Sequence, residues 1–135
     1  MTYQEIHDIL SNTSSWQQSY REIMLLGKKL PTLPDVLKTD EARVRGCESN
    51  VWLHIDLDEQ QQHLVLVGDS DTRIVKGLLV IVLAIYNART PMDAAKVDAY
   101  SEFEKLGLIK HLSPSRGNGI KAIVDTIQQQ AAKWA

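Results

Sequence analysis

"VWLHIDLDEQQQHLVLVG", residues 51 to 68, decides the fold class of this chain. Val51, Leu53, Ile55 and Leu57 alternate with Trp52, His54 and Asp56, the two-residue period of a strand that buries one face. A second strand pattern, "HLVLVG", follows the polar "DEQQQ". The short connection makes the two an antiparallel hairpin closed by a loop or bulge rather than a two-residue turn. No other clear strand is visible, so the rest of the core has to come from helices.

Upstream, residues 3 to 10 read as a short helix with Ile6, Ile9 and Leu10 on one side, and "SNTSS" supplies N-caps for the next. In "WQQSYREIMLLGKKL" Trp16, Tyr20, Ile23, Met24 and Gly27 recur at helical spacing; Gly27 also suits a helix end. Pro31 and Pro34 in "LPTLPDVLK" block a continuous helix and make that stretch an ordered connector.

Downstream, Gly68, Asp69, Ser70 and Asp71 read as a turn whose oxygens cap a helix beginning near Thr72, with Asp69 and Asp71 as capping residues rather than metal ligands. From Leu78 to Tyr86 that helix is apolar all round, so it is the central buried one. Thr90 and Pro91 start a short helix, "SEFEKLG" forms another that ends at Gly107, and the last presents Ile120, Ile123, Val124, Ile127, Ala131 and Trp134 as a stripe. Helices flanking a small antiparallel sheet, without alternating strand-helix-strand units, predict an α+β fold with helices packed on one sheet face. No linker or repeat divides the chain, and residues 1–135 are expected to form one domain.

The net charge of -2 leaves no excess of cations for a run of phosphates, so no nucleic acid is expected as partner. The apolar run from Leu78 to Tyr86 is far short of the roughly 20 residues that cross a bilayer, and the N-terminus lacks a secretory pattern. No membrane association and a cytoplasmic location are the expectations.

Cys47 is the only cysteine, so it forms no disulfide within the chain and supplies no thiol-rich metal site; no metal is expected. A free cysteine is often an inert small hydrophobe of the core. Its neighbours Gly46, Glu48, Ser49 and Asn50, however, are turn residues, which places the thiol on a surface loop. Arg43 and Arg45 favour a thiolate while Glu48 opposes them, and Gly46 permits close approach by another chain. A cysteine nucleophile that hydrolyses or reduces a substrate normally needs a base; His7, His54, His63 and His111 are the candidates, with His54 and His63 on opposite arms of the hairpin. "RGNGIK", residues 116 to 121, superficially looks like a glycine-rich anion loop, although a turn and helix start after "SPS" explains it more simply.

Three motifs in order, "VRGCESNVWL", "GDSDTRIVKGL" and "LSPSRGNG", together with the upstream "GKKLPTLPD", resemble the SufE family of sulfur acceptor proteins, and the likeness runs from about Trp16 to the final helix. The "LPTLPDVLK" stretch is closer to the CsdE branch. The resemblance implies a fold like that of SufE and the IscU-type scaffolds. It also implies that Cys47 accepts sulfur from the persulfide of a cysteine desulfurase, SufS-like or CsdA-like, and passes it to a downstream recipient protein for iron-sulfur cluster assembly or other sulfur transfer. Gly46, Glu48, Ser49, Asp71 and Arg116 are then expected to support the cysteine loop, with Asp71 and Arg116 near it. No cofactor is expected on this chain; the pyridoxal phosphate belongs to the desulfurase. One thiol suits a carrier better than a cluster scaffold, which needs several. Two other functions compete: a cysteine-dependent peroxidase or hydrolase, and a binding module in which Cys47 is inert.

Overall fold

The computed structural model describes residues 2–135. Its elements in chain order are α1 (Tyr3–Ser11), α2 (Trp16–Lys28), β1 (Val51–Leu57), β2 (Leu64–Ser70), α3 (Arg73–Tyr86), α4 (Pro91–Lys96), α5 (Ala99–Lys105) and α6 (Pro114–Trp134). The class is α+β: one two-stranded antiparallel sheet and six helices among the described residues.

The alternation of "VWLHIDL" translates directly into register. Val51 pairs with Ser70, Leu53 with Gly68, Ile55 with Leu66 and Leu57 with Leu64, so these residues share the face that meets the helices. Trp52, paired with Asp69, and His54, paired with Val67, lie on the other face. The connector crosses that face: Leu33 is buried and the Lys38 ammonium sits 5.3 Å from the Trp52 ring centroid. The connector then joins the sheet itself, since Val44 N donates to Val51 O and Leu53 N to Ala42 O, both at 2.8 Å. Arg43 therefore forms an isolated bridge with Trp52, a third segment too short to carry strand periodicity.

The hairpin loop is closed by Asp58, whose carboxylate accepts from the Gln62 and His63 backbones and meets His63 Nδ1 at 3.2 Å. His54 and His63 do not pair across the hairpin; His54 Nε2 lies 2.7 Å from the Leu37 carbonyl. The register explains this, because His54 faces Val67 rather than the loop end.

Helix α3 is the central helix: Leu78, Leu79, Ile81 and Val82 are fully buried. Burial of side chains of this size is worth about 1.5–3 kcal/mol each. It crosses α2 with backbones almost in contact. A methyl on Gly77 would overlap the Ile23 carbonyl oxygen, and one on Gly27 would lie 2.9 Å from the Gly77 nitrogen. Gly27 is thus inside α2 as a packing residue; Lys29, not a glycine, caps the helix.

Two boundaries differ from the sequence reading. The strand β2 continues through Gly68, Asp69 and Ser70, so "GDSD" is a strand end, and Thr72 precedes α3 without a side-chain cap. Neither Asp69 nor Asp71 caps α3: their carboxylates are taken by partners across the sheet and the cysteine loop. Helix α6 begins at Pro114 with Ser113 accepting from Arg116 N, which places all of "RGNGIK" within the helix. It is neither a turn nor an anion loop, because Ser-Pro starts the helix before the glycines are reached.

Candidate functional site

Cys47 sits in the loop between the Arg43 bridge and β1, and the loop rests on α6. Gly46 takes a positive φ of 92°, a conformation that L side chains rarely adopt, and a methyl there would also lie 3.2 Å from the Ala122 Cβ. One residue on, the Cys47 thiol donates to the Gly119 carbonyl at 3.3 Å. A methyl on Gly119 would meet Sγ at 3.3 Å. Gly119 and Ala122, three residues apart on one helix face, thus form the seat of the loop.

Hydrogen bonds from the end of β2 hold the other arm. Asp71 accepts from the Asn50 backbone at 3.1 Å and from its side-chain amide at 2.9 Å. Ser70 Oγ donates to the Asn50 carbonyl at 2.8 Å, and Thr72 Oγ1 donates to Ser49 Oγ at 2.9 Å. The three consecutive residues 70–72 therefore bind Ser49 and Asn50 and fix where the cysteine loop enters β1.

A cavity of about 190 Å³ opens beside the thiol. Its wall of Val51, Val75, Leu78, Ile120 and Ile123 is apolar, while Glu48, Ser49, Ser113, Ser115 and Arg116 are polar. Arg116 is exposed and its guanidinium joins no ion pair among the described residues. Cys47 is half-buried here, and burial pushes its thiol pKa up. Arg43 and Arg45 do not line the cavity. The upward shift favours the protonated thiol, the weaker nucleophile, in this conformation.

The structure thus places Gly46, Cys47, Glu48 and Ser49 on one loop, Asp71 on its clamp and Arg116 beside its cavity. No histidine lines that cavity. His111 stacks on Trp16 at 4.9 Å, and His7 packs edge-on to Tyr3. The Cys-His arrangement of a thiol hydrolase is not assembled. Among the described residues no three His, Cys, Asp or Glu gather in a group able to hold a metal ion, and no helix is long and apolar enough to cross a membrane.

Gly119, Ser70 and Thr72 escape a reading of the sequence. For Gly119 a signal exists: Ser113-Pro114 repeats the N-cap and first-position proline of Thr90-Pro91, and starting the helix there puts Gly119 on the same face as Ile120 and Ile123. Asp69 is a buried anchor rather than a cap, 1% exposed, accepting from Leu33 N at 3.0 Å and from Ser70 N at 2.8 Å, with Lys76 at 3.4 Å and Lys38 at 3.8 Å. Burial alone would raise its pKa, but the two backbone donors and Lys76 outweigh it and hold the carboxyl below its usual range.

Comparison with known proteins gives a consistent result. The family described as SufE, a Fe-S metabolism associated domain, matches residues 4–131. An uncharacterized SufE-like protein of Rhizobium meliloti is 40% identical over 129 residues, covering 94% of this chain and 92% of that protein. Another from Rhizobium etli is 41% identical over 118 residues, covering 86% and 80%. A hypothetical protein from Thermus thermophilus, solved in solution, shares the fold with a TM-score of 0.77, covering 99% of this chain and 98% of its own at 16% identity.

Proposed function

The chain belongs to the SufE family, whose domain is associated with Fe-S metabolism, and from that premise we propose that it is a cytoplasmic sulfur acceptor that binds and stimulates a cysteine desulfurase. The observation that carries this reading is the setting of Cys47: a solitary thiol on a hydrogen-bonded loop, seated on the Gly119 carbonyl beside a small cavity, with no base at hand. A hydrolase or peroxidase needs the thiolate ready in the free protein; a carrier needs it only when the donor is present.

The transfer is thiol-disulfide exchange. The Cys47 thiol loses its proton in the complex, and its thiolate attacks the terminal sulfur of the desulfurase persulfide. A new S–S bond forms on Cys47, the old one breaks, and the desulfurase cysteine leaves as a thiolate. Pyridoxal phosphate on the desulfurase supplies the chemistry that removes sulfur from cysteine. With no second thiol in this chain to displace it, the persulfide on Cys47 stays until a recipient protein takes the sulfur for cluster assembly or another product.

The raised thiol pKa and the seat on α6 support a loop that shelters Cys47 in the free protein and leaves the seat on binding. Gly46, Ser49 and Asp71 hold the loop in its resting place, and Glu48 and Arg116 line the cavity, where the Arg116 guanidinium would stabilise a thiolate or persulfide anion. Incubation with the desulfurase and cysteine, followed by intact mass under non-reducing conditions, tests the proposal. Wild type gains one sulfur atom and Cys47→Ser gains none; absence of gain on wild type with a competent desulfurase of the same organism would falsify it.

A further inference from the structure

Across α3 from the cysteine cavity, a second depression of about 690 Å³ lies between α2, the start of the connector and the first turns of α3. Four cations line it, Arg21 and Lys28 from α2 and Arg73 and Lys76 from α3, and no carboxylate does. Lys76 is held by Asp69 at 3.4 Å, whereas Arg21, Lys28 and Arg73 join no ion pair among the described residues. Between the cations lie Met24 and Leu25, the latter 42% exposed. On a chain whose net charge is -2, this segregation of positive charge around exposed apolar side chains is a local feature rather than a consequence of composition.

Its position ties it to the thiol. The same two turns of α3 present Arg73 and Lys76 to the depression and Val75 and Leu78 to the Cys47 cavity. The two sites are separated by the width of one helix, about 10 Å. Arg73 also directly follows Thr72, whose hydroxyl donates to Ser49 in the cysteine loop. A protein surface that reaches Cys47 from the α3 side would cover the depression as well.

We propose that this cationic groove is a docking site for an acidic, apolar-anchored segment of the desulfurase, so that electrostatic attraction draws the donor to the side of α3 next to the cysteine loop. The inference rests on the proposed function and adds to it a specific surface and the chemistry of its partner. Facing charges of opposite sign raise encounter rates and fix orientation, and their effect weakens with salt.

The test is a double charge reversal, Arg21→Glu with Arg73→Glu, both at exposed positions outside the cysteine loop. Binding to the organism's desulfurase is measured by titration calorimetry at low and at high salt, and sulfur gain on Cys47 by intact mass. The double variant is expected to bind about tenfold or more weakly at low salt, with a flatter salt dependence than wild type. At saturating desulfurase it still acquires sulfur within about twofold of the wild-type rate, because the groove orients the partner and does not touch the reacting atoms. A control of equal charge change, Lys110→Glu with Lys133→Glu, binds as wild type does. Circular dichroism establishes that each variant is folded. Wild-type affinity in the double variant, or equal weakening in the control, overturns the groove while sulfur gain on wild type leaves the carrier function standing. Self-association of the free protein that the reversal abolishes assigns the groove to a second copy and overturns the proposal too. If wild type gains no sulfur, the carrier function fails first, and the groove loses its partner with it.

Discussion

Two of the close approaches that glycine permits, α2 on α3 and the cysteine loop on α6, are different in kind. Where α2 crosses α3, the approach is backbone against backbone: a methyl on Gly77 would overlap the Ile23 carbonyl, and no side-chain rotation relieves it. Where the cysteine loop meets α6, a methyl added to Gly46 would lie 3.2 Å from the Ala122 Cβ and one added to Gly119 would lie 3.3 Å from the Cys47 sulfur, and the loop is held mainly by hydrogen bonds. The first contact belongs to the core and cannot be left without unfolding. The second rests on individual hydrogen bonds, each worth about 0.5–1.5 kcal/mol, which the proposed transfer would exchange for contacts with the desulfurase. The sulfur-acceptor function proposed above asks for both, a rigid pair of helices and a loop that rests on a third.

Gly77→Ala is expected to show the largest effect. It should lower stability by about 3 kcal/mol or more, read from the urea midpoint, because the helix pair has to separate. Wild-type stability in this variant would break the comparison at its rigid end.

Asp69→Asn comes next and probes the join between the rigid and the movable parts, since Asp69 holds Leu33 and the two lysines while its neighbours Ser70 and Asp71 hold Asn50. A loss of about 1–2 kcal/mol is expected at pH 7. The carboxyl is lowered in the folded protein, so its contribution is complete above the unfolded value of roughly 4 and fades as pH falls through the folded value. The gap between wild-type and variant urea midpoints should therefore narrow towards pH 3. A gap that widens on acidification would contradict the assignment.

Gly119→Ala should change stability least, by about 1 kcal/mol or less in either direction. Alanine favours the helix by nearly that amount, and the crowded sulfur opposes it. Its consequence lies in the thiol: alkylation of Cys47 should become several-fold faster. Burial raises the wild-type thiol, so the midpoint of its alkylation pH profile is expected above the ordinary thiol value of about 8.5, with the midpoint of the variant shifted down towards it. Equal midpoints would mean that the seat on α6 is not what suppresses the thiolate.

Legibility followed the range of the interactions. The hairpin, the apolar α3 and the caps at Thr90 and Pro91 were readable because each depends on neighbours within a few positions in sequence. The "GDSD" segment misled because aspartates are strong capping residues locally, whereas here Asp69 continues a strand and reaches the connector at Leu33, 36 residues away. "RGNGIK" misled for the opposite reason: two glycines suggest a turn, yet the helix had already begun at Pro114, and Gly119 is there to admit the sulfur of a residue 72 positions earlier. Of the candidate site, the cysteine and its turn were legible, as were Asp71 and Arg116 once the three motifs were set beside the SufE family. The face of α6 on which the loop rests was not.

By itself the sequence determined the α+β class, the identity of the lone thiol and the order of the motifs, because periodicity, composition and spacing are properties of the chain. Only the tertiary structure decided that the thiol is half-buried on Gly119, that residues 70–72 clamp its loop, and that four cations of α2 and α3 share one groove. Those depend on which helix lies across which loop, and the packing that settles it is the sum of many weak contacts between residues far apart in the chain.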